Sequence, residues 1–346
     1  MKPGMKNVMM VGIWSRVLTA GLVLLFAATV PGVGQADDRI EFRIGTGAIA
    51  GTYHPIGALL VNIISQPPGS RACEDGGGCG VPNLLASTVS SHGSVANMRA
   101  IQDGRIESGF SQADVAQAMV NAKGAFDGLP PLEKVRAIAN LYPETLHIVV
   151  RQGAGIKSVH DLRGKRVSLD LLGSGTRFAA GVILAAHGIG ESDIIAVQAT
   201  SGRAAHLMRE GELDAFFLVA GIPARAVTTL TRDKVASVIE LGGTETKKIL
   251  DDHRFFSRAS IPGETYAHVD PLSTIAVGAL WLTSVEVSED LIHAICMALW
   301  SEKARIALDE GHPQGKHIKL ETALDGIAIP LHPGAERCYR ELGVLK

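Results

Sequence analysis

Phe42-Arg-Ile-Gly-Thr-Gly-Ala-Ile-Ala-Gly-Thr-Tyr-His-Pro55 carries a short apolar strand into a glycine-rich turn and then directly into a helix. A turn of this kind aims unpaired backbone N–H groups at whatever lies in front of it. The arrangement recurs around Ser91-His-Gly-Ser-Val-Ala-Asn97, Ser111-Gln-Ala-Asp114 and Gly173-Ser-Gly-Thr176, each between an apolar run and a helix-like run. Four such turns in one chain imply a protein organised around a common polar cleft.

Working outward, short β-type runs alternate with helical ones from residue 40 onward, the pattern of an α/β protein with mainly parallel sheets. The pattern predicts strands over 40–44, 84–89 and 106–110, with helices over 53–65 and 94–102. Pro55 falls in the first turn of its helix, where its missing N–H costs nothing. Ser111-Gln-Ala-Asp114 has the spacing of a capping box opening a helix over 114–122. Residues 135–141 and 147–151 read as a pair of strands where the chain leaves a first lobe. The pattern then restarts, with strands over 166–169, 194–198 and 214–219, helices over 177–187 and 204–209, and a helix from Pro223. A strand over 274–282 and a mostly helical 288–309 follow, so that two crossing segments form a hinge.

Residues 1–36 stand apart. Lys2, Lys6 and Arg16 precede an apolar run over 17–30 and then Gly34-Gln-Ala36, which reads as a secretory signal cut after Ala36. The competing reading, a membrane anchor, asks for a longer apolar core, roughly 20 residues. Cleavage leaves about 310 residues, more than one hydrophobic core usually serves, and so two lobes. It also takes the formal net charge from −2 to about −5, which gives no electrostatic case for nucleic acid. The division expected is signal 1–36, first lobe 37–145, second lobe 146–265, and a return to the first lobe over 266–346.

Cys73-Glu-Asp-Gly-Gly-Gly-Cys79 places two thiols across a flexible turn in an oxidising compartment, and a Cys73–Cys79 disulfide is expected. A metal is the alternative, but the loop lacks the histidine or second cysteine pair of a tetrahedral site. Cys296 and Cys338 are left open between a pair and two buried thiols.

Helix N-termini around a cleft favour anions, at roughly 0.3 to 1 kcal/mol each, so the ligand implied is a small acid. Thr46, Thr52, Ser91, Ser94, Ser174 and Thr176 can add hydroxyls, and Tyr53 or Gln112 can select shape; each Ser or Thr taken alone reads equally as an ordinary cap.

These residues also carry a family resemblance. Ile44-Gly-Thr-Gly, then Gly51-Thr-Tyr-x-Pro-x-Gly57, Gly93-Ser-Val-x-Asn-x-x-x-Ile101 and Gln112-x-Asp114 resemble the solute receptors of tripartite ATP-independent periplasmic (TRAP) transporters, in their TAXI subfamily. Lys165-Arg-Val-Ser-Leu169, Gly173-Ser-Gly-Thr176, Asp214-Ala-Phe-Phe and Gly221-x-Pro223 continue it through nearly all of the mature chain. The resemblance implies a two-lobed type II periplasmic-binding-protein fold, with a ligand cleft between lobes joined by a two-strand hinge. It implies a periplasmic receptor, not an enzyme and without a cofactor, that hands a small organic acid or amino acid to TRAP membrane permease subunits. Glutamate, a 2-oxo acid and a dicarboxylate all suit the implied ring of donors.

Carried over position by position, the ligand lies beside Thr46, Gly47, Gly51, Thr52 and Tyr53, near Ser91, Ser94, Asn97 and Gln112, and against Gly173, Ser174, Gly175 and Thr176 of the other lobe. Gly221 and Pro223 shape the far wall. Ala48-Ile-Ala50, where many relatives have glycines, implies a tighter and more apolar floor. Arg177 either pairs with a second ligand carboxylate or is an ordinary first-turn arginine.

Enzyme readings fit poorly. Gly45-x-Gly47-x-x-x-Gly51 misses the Gly-x-Gly-x-x-Gly spacing of a dinucleotide site. Ser174 lacks the glycine two residues before it that a nucleophile elbow needs, since Leu172 stands there. His312 and His317 are not spaced as a metal pair. A sensing subunit of the same fold, signalling to a membrane receptor in place of a permease, is the alternative that sequence leaves open.

Overall fold

The computed structural model describes residues 39–253 and 255–346, and the export signal expected over 1–36 lies outside them. The chain opens with β1 (Ile40–Gly45), α1 (Tyr53–Ile64), the two-residue strands β2 (Ser65–Gln66) and β3 (Val81–Pro82), β4 (Leu84–Val89), α2 (Ser94–Gln102), β5 (Ser108–Gln112) and α3 (Ala113–Val120). It crosses on β6 (Val135–Arg151) into β7 (Arg166–Ser168), α4 (Gly175–Ala186), β8 (Ile195–Val197), α5 (Ser201–Arg209), β9 (Ala215–Ala220), α6 (Arg225–Arg232), β10 (Ala236–Ile239), α7 (Gly243–Asp252) and β11 (Phe256–Ile261). It returns on β12 (Leu272–Ser284) and ends with α8 (Glu289–Leu299), α9 (Glu302–Gly311) and α10 (Pro333–Glu341).

The main sheet runs in the order β4-β1-β5-β12-β6-β9-β7-β8. Outer strands are parallel, as the alternating pattern implies: β1 with β4 and β5, and β7 with β8 and β9. The two long central strands are antiparallel to each other and to their neighbours. On β12, residues 279–283 pair with β5 while residues 272–277 pair with β11; on β6, residues 145–150 pair with β9. Each long strand therefore belongs to one lobe at one end and to the other lobe at its far end. The result is the two-lobed α/β architecture of type II periplasmic binding proteins.

Apolar residues at period two on the strands and on one face of each helix fill three core clusters, one of which runs from Met98 and Met119 of the first lobe to Val167 and Ile183 of the second. Phe42, Ile56, Leu60, Phe110, Trp281 and Tyr339 pack the first lobe, with the Trp281 ring edge-on to Phe42. Trp281 Nε1 donates to Ser108 Oγ at 3.2 Å, so the indole is buried without an orphaned donor. Met208, Phe216, Leu218, Val227 and Tyr266 pack one face of the second lobe. Asp214, at the edge of β9, accepts from both Arg166 and Arg151 at 2.8 and 2.9 Å, and the Arg166 hydrogen bond holds its carboxyl well below the usual range.

Disulfides join Cys73 to Cys79 and Cys296 to Cys338. The second bond ties α8 to α10 inside the first-lobe core, where both cysteines are fully buried.

Two local expectations are corrected. Residues 135–151 form one strand, not a pair: Pro143 is exposed and sits opposite Gly278, so β pairing continues through it. The capping box at 111–114 does not form, because Ser111 is a strand residue whose hydroxyl turns to the Gln112 carbonyl while Asp114 caps Val115. The mostly helical 288–309 is, as expected, helical over most of its length, as α8 and then α9, which starts at Ser301, whose side chain accepts from Ala304 N.

Candidate functional site

Five helix starts face one cleft between the lobes. Tyr53 and Ser94 are the first residues of α1 and α2, and Gln112 is the N-cap of α3; all three come from the first lobe. Gly175 opens α4 and Ser201 opens α5 on the second lobe, behind the caps Ser174 and Thr200, whose side chains accept from Thr176 N and Arg203 N. Strands β1, β4, β5, β7 and β8 end at this level, so the helices that follow them start here. The cleft is narrow in this arrangement, with a free volume of about 60 Å³.

Of the residues singled out in sequence, Gly47, Gly51, Thr52, Tyr53, Ser91, Ser94, Gln112, Ser174, Gly175 and Thr176 line this cleft. Thr46 and Asn97 lie behind it. Asn97 Nδ2 is 3.0, 2.7 and 2.8 Å from the carbonyls of Gly45, Thr46 and Phe110, and so binds the ends of two strands into a fixed rim. Gly173, Gly221 and Pro223 do not line the cleft either. The Gly173 carbonyl accepts from the amides of Val95 and Ala96 across the lobes at 3.1 and 3.2 Å. Gly221 N donates to Thr52 Oγ1 at 3.1 Å, and Pro223 follows a cis bond from Ile222, whose carbonyl accepts from Gln314 Nε2. The lobes are thus in contact around the rim, with the cleft closed over.

Arg177 takes the second of its two readings, an ordinary first-turn arginine. It pairs with Glu191 at 2.6 Å on the outer side of α4 and does not reach the cleft, because one residue past Thr176 the helix has turned away. The floor is corrected: Ala48 lines it, but Ile49 is 71% exposed at the tip of the turn closed by Gly51 N on the Ala48 carbonyl.

Sequence reasoning passed over Glu144, Asp170, Thr200 and Ser201. Glu144, from the middle of β6, is buried, and Tyr53 Oη donates to its Oε2 at 2.7 Å. Burial pushes its carboxyl up to about 8, against the pull of the Tyr53 hydrogen bond and helped by the nearby Asp114. Asp114 is itself raised to about 7 by burial. Asp170 accepts from Ser174 Oγ at 2.9 Å, and burial raises its carboxyl as well. Gln112 Oε1 is buried without a partner. Signals existed for two of these. Ala199-Thr-Ser-Gly202 repeats the strand, turn and helix pattern of the other sites, whereas Glu144 sits in an otherwise apolar strand and announces nothing but an odd charge.

Among the described residues, no lysine or arginine lines the cleft. Helix N-termini and hydroxyls are therefore what the cleft turns toward a negative charge, while Asp170 and Gln112 Oε1 offer acceptors.

A two-lobed α/β chain with such a cleft has the fold of the type II periplasmic binding proteins. The chain belongs to the NMT1-like family, whose model matches residues 44–343. Among solved structures, a protein of Bordetella bronchiseptica RB50 shares the fold at TM-score 0.52 and 16% identity, over 89% of this chain and 90% of that one. The alkanesulfonate-binding protein SsuA from Xanthomonas axonopodis pv. citri bound to MOPS aligns at TM-score 0.43 and 16% identity, over 87% and 83%. The periplasmic aliphatic sulphonate binding protein SsuA from Escherichia coli aligns at 0.43 and 14%, over 88% and 84%.

Proposed function

We propose that this protein is the periplasmic solute receptor of a TRAP transporter of the TAXI subfamily, binding a small organic acid or amino acid and delivering it to the membrane permease. The observation that carries the reading is the convergence of helix starts from both lobes on one closed cleft. The ligand residues of this reading are Gly47, Gly51, Thr52, Tyr53, Ser91, Ser94, Gln112, Ser174, Gly175 and Thr176, with Glu144 and Asp170 added. Its lobes are 37–145 with 266–346, and 146–265, after a signal over 1–36 is removed.

Binding proceeds without chemistry. Solute enters the open cleft, its carboxylate settles on the first-lobe helix starts, and the Ser174–Thr176 turn closes over it as β6 and β12 bend. Glu144, protonated at neutral pH, does not repel an anion. The acceptors in the wall favour a solute that also carries donors, and so rank an amino acid such as glutamate ahead of a 2-oxo acid or a bare dicarboxylate. Closure then requires only that the solute contact the closed form better than the open one.

A thermal-shift screen of the oxidised protein from Asp37 onward, unfolded and refolded to strip bound solute, tests this. A ligand at 100 times its Kd adds about 2.7 kcal/mol. Stabilisation by one small acid or amino acid is the outcome expected; a response confined to sugars or nucleotides overturns the assignment.

A further inference from the structure

A second, larger concavity lies on the opposite side of the contact that closes the cleft. Its walls come from α2, α3 and the Gly124–Phe126 turn of the first lobe and from α4 and α7 of the second. His92 and Ser174 border both cavities, and between them the Gly173 carbonyl takes the Val95 and Ala96 amides. The floor of this groove is therefore built by the same contact that shuts the solute cleft.

Its chemistry is amphipathic. Phe126 and Phe178 stack across the lobes at 5.8 Å and 14°, and Val95, Val182, Ile249 and Phe255 extend the apolar floor. Around the rim stand Arg99, Arg105, Lys123, Arg177 and Lys248, against Asp252 as the one acidic residue of the lining. Arg105 and Arg177 are paired, with Asp103 and Glu191. Arg99, Lys123 and Lys248 are exposed and have no ion pair among the described residues. A chain whose formal net charge is −2 thus concentrates free cations around this apolar groove.

Its free volume of about 1270 Å³ exceeds the roughly 300 to 1,000 Å³ of small-molecule sites. The cations are spread along several elements and not gathered at one end, which suits a polypeptide bearing several carboxylates better than a single-headed amphiphile. A helix about 10–12 Å across laying an apolar face into such a groove is a common recognition mode.

We propose that this groove docks an acidic amphipathic segment of the membrane partner, and that it does so only on the closed receptor. The proposal rests on the receptor reading above. Docking reads closure directly, since separating the lobes breaks the Gly173 contact and parts Phe126 from Phe178.

The test uses the purified protein and a fluorescein-labelled synthetic 18-residue helix with leucines on one face and glutamates on the other, followed by anisotropy at low and moderate salt. Saturable, salt-sensitive binding is expected, weakened at least tenfold by Lys123→Glu with Lys248→Glu and by Gly175→Val, which holds the lobes apart. A scrambled peptide of equal composition, or one with lysines for glutamates, should not bind. No binding, equal binding of the scrambled peptide, or unchanged binding by the charge-reversed variant overturns the proposal. Capture by phosphatidylglycerol vesicles with the same variant dependence, in place of the peptide, overturns it in favour of a lipid surface. A solute-induced thermal shift retained in a protein that ignores the peptide sinks the docking alone; peptide binding with no solute response in any screen sinks the receptor reading instead.

Discussion

Gly175 of the second lobe stands directly against Gln112 of the first: a Cβ added at Gly175 would lie 2.6 Å from Gln112 Cδ and 2.5 Å from Ser94 Oγ. Both neighbours are buried, and each belongs to a helix start at the cleft. The residue is a glycine because of this approach and not because of backbone conformation, since its φ is not in the left-handed region.

Replacing Gly175 by valine should therefore hold the lobes apart. We expect solute affinity, measured by calorimetry, to fall more than about tenfold, because closed-state contacts are lost, while far-UV dichroism of the ligand-free protein stays unchanged. Undiminished affinity would remove Gly175 from the closing surface.

Thr52 joins the lobes by a different route, its Oγ1 accepting from Gly221 N at 3.1 Å. Thr52→Val keeps the shape and removes the acceptor, leaving a buried N–H unpaired on closure. That should weaken solute binding by roughly tenfold, about 1 to 1.5 kcal/mol, chiefly through faster release. A stopped-flow chase with unlabelled solute reads the release rate.

Much of the cleft was legible because its residues follow one local rule: a strand ends, a glycine-rich or Ser/Thr-rich turn follows, and a helix starts. Ser94 and Gly175 obey it, and Thr200-Ser201 obey it too, whereas Gln112 ends β5 and passes straight into α3. Glu144 does not, since it enters the cleft from the middle of a crossing strand, and only the tertiary pairing of β6 with β9 and β12 sets which way that strand faces. Asn97 shows the converse failure. Its place in a motif-like stretch marked it as a ligand contact, yet its amide ties three backbone carbonyls behind the site. The Cys296–Cys338 bond was illegible for a related reason, since nothing local brings α8 against α10.

Arg177 offers a negative control for the cleft. Its pair with Glu191 is partly exposed, so Arg177→Ala should leave solute affinity within about twofold and cost less than about 1 kcal/mol in urea unfolding. A large loss of affinity would show that the guanidinium reaches the solute after all.

The two disulfides should differ in weight. In the chain-entropy model a 42-residue separation corresponds to about 4 kcal/mol and a 6-residue one to about 2 kcal/mol. Removing Cys296 and Cys338 together should lower the unfolding free energy about twice as much as removing Cys73 and Cys79. Denaturant titrations of the two double-alanine variants make the comparison.

Glu144 predicts how stability depends on pH. Its carboxyl has a pKa of about 8 in the folded protein against 4.5 as its ordinary value, so between these limits the folded state holds a proton that the unfolded state has released. Stability from this group is present in full below about pH 4.5 and is lost as pH rises toward 8. Asp114, raised to about 7 from 3.8, steepens the same decline. Glu144→Gln keeps an acceptor for the Tyr53 hydroxyl at 2.7 Å but cannot ionise. The ligand-free variant should lose much of the slope and gain on the order of 2 to 4 kcal/mol over the native protein on going from pH 5 to pH 8. Urea unfolding across that range measures it, and parallel curves for the two proteins would mean that Glu144 is ionised in the fold, leaving a buried negative charge facing the cleft.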